Sequence, residues 1–125
     1  MSQFHDNKPI FIQIKEKIED QIFKGQLKEH EQIPSTNQMV QFYKVNHITV
    51  SKGINLLVEE GIIYKKRGVG MFVAEGAKEQ LIQKRKGEFA SNYVLPMLQE
   101  AEKLGLTEGE VNQIISKLKG RDFDV

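Results

Sequence analysis

Residues 35–61 read STNQMVQFYKVNHITVSKGINLLVEEG. Ser35 and Gln38 stand at capping-box spacing, where each side chain can satisfy an orphan amide of a helix's first turn. Met39, Val40 and Phe42 supply the apolar face of that helix, which stops near Tyr43. Lys44 and Val45 make a short turn, and Asn46 is a good N-cap for a further helix. Along it Val50, Ile54, Leu57 and Val58 face one side, and Gly61 closes it. Gly53 falls on the same inner side, where it costs helix stability relative to alanine. Close approach of the preceding helix is the expected compensation.

Outward from this pair, the flanks complete an architecture. Upstream, Asn7 or Asp6 can cap a first helix, with Pro9 in its first turn and Ile10, Ile14, Ile18 and Ile22 as one apolar stripe. Gly25 ends it, and Ile33 in the linker is placed to pair briefly as a strand. Downstream, two β-rich runs, Ile62–Lys66 and Met71–Ala74, flank Arg67-Gly68-Val69-Gly70, a hairpin signal with glycines for the bend. Helix, helix, turn, helix and hairpin make a winged helix-turn-helix over residues 1–74, a mainly α fold with a small β-hairpin. Residues 75–125 form a two-helix tail. Pro96 should kink or divide its first helix, Gly105 breaks it, and Thr107 with Glu110 opens its last. The tail's apolar positions are Leu81, Phe89, Tyr93, Met97 and Leu104, then Val111, Ile114, Ile115 and Leu118. Two such helices cannot enclose a core alone, so their apolar faces need a partner, either the winged domain or a second copy of the chain. The second copy is favoured, which makes these positions the expected dimer residues, because helix-turn-helix proteins that read DNA usually dimerise to match two half-sites.

Composition bounds the function without naming it. The chain of 125 residues is 39% hydrophobic and has no cysteine, which excludes disulfides and thiolate metal sites. No apolar run suits a membrane span and no signal-peptide core is seen, so a cytoplasmic protein without membrane partners is expected. Residues 1–74 carry ten Lys and Arg against eight Asp and Glu, and the remainder eight against nine, so only local placement can speak for nucleic acid. His5, His30 and His47 show no metal-ligand spacing, and no hydrolase motif accompanies the serines. No catalytic site, metal or cofactor is expected.

From Pro9 to Val73 the chain resembles the DNA-binding domain of the GntR family of bacterial repressors. The likeness is carried by the Gly-x-Leu after the first helix, by IPS at 33–35, Thr49-Val50, EEGII at 59–63 and RGVGMFV at 67–73. The tail, with AEKLGLTEGEV at 101–111, is similar to the YtrA-like branch, whose members lack a large effector domain and dimerise through the tail. The resemblance implies a homodimeric repressor on inverted-repeat operators, with a transporter operon among the expected targets. It points to Ser35 as a backbone-phosphate contact, to Thr49 as a phosphate or base contact, and to Gly68 as the residue that lets the wing enter the minor groove. Asn37, His47 and Ser51 stand where family members often have arginine.

Read by chemistry alone, the polar face of the third helix is either simply solvated or a reader of base edges. Asn46 suits a cap better than a reader. His47 can donate to guanine or phosphate, Asn55 could pair with adenine, Ile48 could meet a thymine methyl, and Ser51 and Lys52 suit phosphates. Lys65, Lys66 and Arg67 lead into the Gly68-Val69-Gly70 turn, a basic tip suited to backbone and minor-groove contact. With Thr36, Asn37 and Lys44 these residues form the candidate interface with a double-stranded DNA operator. A small-molecule effector, where there is one, is expected at the dimer seam or between tail and winged domain. The alternative is a winged-helix module that binds protein and reads no DNA.

Overall fold

The computed structural model describes residues 4–120, and the chain divides between Gln83 and Lys84 into two compact units. In the first, α1 (Ile10–Phe23) turns Ile14, Ile18 and Ile22 into the core. Its N-cap is Pro9, with no side-chain cap, and not Asn7 or Asp6 as their polar side chains suggest. The proline ring fixes a helix-ready φ of −54° at the cap itself, two residues beyond Asn7 and three beyond Asp6. Gln13 holds the preceding segment instead: its amide nitrogen donates to the carbonyls of His5 and Lys8, both at 2.7 Å.

Helix α2 (Thr36–Tyr43) opens on the Ser35–Gln38 capping box, and α3 (His47–Glu59) on Asn46, whose Oδ1 accepts from the Thr49 amide at 2.8 Å. At Gly53 a Cβ would lie 2.7 Å from the Phe11 carbonyl oxygen, so the close neighbour is α1, not the preceding helix α2. The two helices are also tied by Lys15, whose ammonium bridges Glu19 at 3.2 Å and Glu60 at 3.1 Å.

The turn between α2 and α3 contains Lys44 at φ 56°, ψ 45°. A Cβ in that left-handed region costs about 1–2 kcal/mol, and glycine gives back part of the gain as unfolded-state entropy. Lys44→Gly is therefore expected to raise stability by about 0.5–1 kcal/mol, read as a higher urea midpoint at unchanged slope. An unchanged or lower midpoint contradicts the strain.

Strands β1 (Ile63–Lys66) and β2 (Gly70–Val73) pair antiparallel, Ile63 with Val73 through Lys66 with Gly70. The linker adds a short third edge, as expected near Ile33, whose amide donates to the Met71 carbonyl at 2.9 Å. Gln32 bridges Phe72 on the same edge. Ile63, Met71 and Val73 join the core, while Tyr64 and Phe72 stack on the outer face at 5.6 Å.

Ala77 and Leu81 of α4 (Ala77–Phe89) complete that core. The first unit thus runs past Ala74, the boundary that the hairpin's end suggests for the winged domain. Leu81 leaves the set of expected dimer residues, being 2% exposed inside this core. The hydrophobic positions of α4 beyond the core are few, and burying Leu81 here removes more apolar area from water than leaving it on an open helix.

In the second unit, a π-helical turn (Ala90–Val94) joins α4 to α5 (Leu95–Lys103). Pro96, expected to kink or divide this run, lies two residues beyond it, in the first turn of α5. The wider turn lets the helix continue, with the Leu95 amide donating to the Ala90 carbonyl five residues back. Gly105, at φ 70°, ends the run. Helix α6 (Glu108–Lys119) opens on the Thr107–Glu110 capping box. The Thr107 amide, and then its hydroxyl, hold the exposed Glu110 carboxyl below the ordinary carboxylate range. Ala101 is the buried hydrophobic residue of this unit among the described residues. Among the described residues, no helix is long and apolar enough to cross a membrane.

Candidate nucleic-acid interface

Three features of the first unit make this surface, each placed by local chemistry. The N-terminus of α2 carries Ser35, Thr36 and Asn37, with Ser35 and Asn37 exposed. The capping box engages the Ser35 hydroxyl, which accepts from the Gln38 backbone amide at 3.1 Å, and the Gln38 side-chain oxygen, which accepts from the Ser35 amide at 2.8 Å. Thr36 and Asn37 follow at the positive end of the helix, where backbone amides favour an anion.

The second feature is α3. Val50, Gly53, Ile54 and Leu57 face the core, which turns Ile48, Lys52 and Asn55 outward. Ile48 is 70% exposed at the first turn, an apolar side chain offered to solvent where a thymine methyl could cover it. His47 Nδ1 lies 3.3 Å from the Ser51 hydroxyl one turn on, so the two form one polar unit. Thr49 and Ser51 are half-buried. Asn46 is exposed, but its Oδ1 is engaged in the cap. Lys52 leans toward α1, its ammonium 5.6 Å from the centre of the Phe11 ring.

The third is the hairpin tip. Lys66, Arg67, Gly68 and Val69 are exposed, Gly68 at φ 77° and Gly70 at φ 148°. The Val69 amide closes the turn on the Lys66 carbonyl at 2.9 Å. Lys66 also stands 5.1 Å over the Phe72 ring. The hairpin is tied to α3 and to the linker that leads into α2. Lys65 donates to Asn55 Oδ1 at 3.2 Å, and Gln32, just before α2, donates to the Val69 carbonyl at 3.1 Å. Between the tip and the start of α2 lies an open cleft of about 850 Å³, bordered by Gln32, Ser35, Thr36 and the run Lys65–Met71.

The structure therefore brings together Ser35, Thr36 and the wing across one cleft, and joins Asn55 to the wing through Lys65. It does not bring Lys44 to this cleft; Lys44 is exposed in the turn between α2 and α3. Sequence reasoning misses the Lys65–Asn55 tie, and it misses Gln32. A glutamine in a polar linker carries no periodicity, cap or charge signal to mark it.

His30, held in the left-handed region at φ 66°, meets the Tyr64 hydroxyl at 3.0 Å, and His47 meets Ser51.

In the tail, Phe89 and Tyr93 lie 6.0 Å apart and are 58% and 68% exposed. Met97, Leu104 and Leu118 are exposed too, whereas Val111, Ile114 and Ile115 are half-buried. Leu95 and Leu98 extend this apolar set. A periodicity of 3.6 counted across the π turn passes over them.

Residues 12–73 match the model of a family described as bacterial regulatory proteins, gntR family. The chain is 35% identical to a solved putative transcriptional regulator of the GntR family from Bacteroides thetaiotaomicron, with a TM-score of 0.72 over 90% of this chain and 97% of that one. It is 35% identical to the HTH-type transcriptional repressor YtrA of Bacillus subtilis over 60% of this chain, and spans 58% of that protein's length. It is also 32% identical to the AraR DNA-binding domain solved in complex with operator ORX1, covering 59% of this chain and 95% of that one, at a TM-score of 0.55.

Proposed function

Since this chain belongs to the gntR family of bacterial regulatory proteins and is a transcriptional regulator, we propose that it acts as a homodimeric repressor on inverted-repeat operators. The observation that carries this reading is the placement of a basic glycine-containing hairpin tip beside both the start of α2 and the outer face of α3. Two copies of α3 enter successive major grooves about one helical turn apart, with His47, Ile48 and Asn55 toward base edges. Ser35, Thr36, Asn37 and the wing hold phosphates on either side, which fixes register. Arginine to guanine, the commonest specific contact, is absent from α3, so affinity rests on the wing cations, Lys52 and the pairing of two copies.

The tail supplies that pairing. Its apolar positions are mostly open to solvent in one chain, and a second copy of the same face covers them in an isologous contact. Transcription is blocked where the operator overlaps a promoter.

Selection of duplexes from a random-sequence pool with the full chain tests the reading. The expected result is a two-fold symmetric consensus with half-sites about 10 base pairs apart, bound by a species that sediments as a dimer. Enrichment of no duplex removes the DNA reading. An asymmetric site bound by a monomer removes the homodimer.

A further inference from the structure

Gln32 is attached to the interface in three ways. Its backbone bridges Phe72, which makes the linker the edge neighbour of β2. Its side-chain amide donates to the Val69 carbonyl at the wing tip. A Cβ placed on Gly70 would overlap that amide, so the absence of a side chain there lets Gln32 lie against the wing backbone. Two residues later the chain reaches Pro34 and then Ser35, the start of α2.

The hairpin itself gives its tip little support. Its two strands have four residues each, and Arg67–Val69 lie beyond the last pair, Lys66 with Gly70. An isolated two-stranded hairpin of this size is marginal in water. The Gln32 amide is the side chain that reaches from the neighbouring edge to a tip carbonyl, so it limits how far Lys66 and Arg67 swing from the start of α2.

We propose that Gln32 is a positioning residue for DNA binding: it fixes the wing tip at a set distance from the α2 N-terminus, so that both reach backbone phosphates together. This rests on the DNA-binding reading above. Gln32 itself need not touch nucleic acid. Its contribution is ordering carried out before the operator arrives, which binding would otherwise have to supply.

Gln32→Met keeps the length and volume of the side chain and removes the donor. The probe is a fluorescein-labelled duplex enriched by the wild-type full chain from a random pool. Gln32→Met is expected to weaken binding by about fivefold or more, the worth of one hydrogen bond's ordering, with a melting temperature lowered by less than about 8 °C. In a Lys66→Ala, Arg67→Ala background the same substitution is expected to change affinity by less than about twofold, because the tip it orders no longer holds phosphate. The Val69 and Gly70 amides of Gln32→Met should also show lower ¹⁵N order parameters than wild type.

If wild type binds and Gln32→Met binds equally well, the positioning role is wrong and the DNA reading stands. An equal loss in both backgrounds means that Gln32 acts independently of the wing, which also overturns it. If wild type enriches no duplex, the inference falls with the reading beneath it.

Discussion

Gly53→Leu is expected to lower the melting temperature of the winged unit by about 15 °C or more, the effect of a loss above about 3 kcal/mol in a unit this small. The reason is the object that a side chain would meet. A Cβ at Gly53 comes 2.7 Å from the Phe11 carbonyl oxygen and 3.5 Å from Ile14 Cγ2. A side-chain tip could move aside, but a carbonyl within helix α1 moves only with the helix. Pushing α1 from α3 opens the seam where Ile14, Ile18, Val50 and Ile54 are buried. Gly53→Ala gives a graded control: it gains about 1 kcal/mol of helix propensity and loses about 1–3 kcal/mol to overpacking. A small net loss is expected for alanine and a large one for leucine. Circular dichroism melts of both variants check the order. Leucine within about 0.5 kcal/mol of wild type, the usual range for open surface sites, would show that the seam is not tight.

The second large effect is electrostatic. Lys66→Glu with Arg67→Glu is expected to lower affinity for the selected duplex more than about a hundredfold at moderate salt. A dimer then loses four phosphate-facing cations and gains four repulsive charges. The slope of log K against log salt should fall by about 3.6, since each of the four phosphate contacts contributes roughly 0.9. Both side chains are exposed, and the Lys66 ammonium above the Phe72 ring is a solvent-facing cation–π pair of small worth, so the melting curve should hardly move. Lys65 is left in place because it is bonded to Asn55. Fluorescence anisotropy over a salt series measures both quantities. A protein-binding winged module would keep its partner through this change; a DNA regulator loses its operator. Unchanged DNA affinity would place the interface elsewhere.

What was legible in the sequence was what neighbours in the chain decide. Ser35 with Gln38, Asn46, and Thr107 with Glu110 cap their helices as their spacing implies, because a cap closes within four residues. The Ile14–Ile18–Ile22 stripe and the glycine-bounded hairpin are equally local. One departure is local, the α1 cap at Pro9 in place of Asn7 or Asp6; the others involve partners far apart in sequence. Gly53 reads as a gap for some helix, but that the helix is α1 depends on how the bundle closes. Leu81 looks like the first apolar position of a tail, and packing makes it the last of the core. Of the interface, the residue types of α3 and the wing were readable. The ties of Lys65 to Asn55 and of Gln32 to Val69 were not, since each joins elements whose meeting is a tertiary event.

The π turn at Ala90–Val94 has a bearing on how this tail is compared with others. A π turn accommodates one residue more than an α turn, so positions after it are set back by about 100° around the axis relative to an unbroken helix. The tail carries its apolar residues in two phases: Phe89 belongs to one, and Met97 and Leu98 to the other. Aligned with a relative whose helix keeps uniform pitch, the chain would require a one-residue gap here, even where the paired surfaces are the same. A relative one residue shorter between Phe89 and Leu95 would therefore be no truncation, but the same tail wound without its bulge.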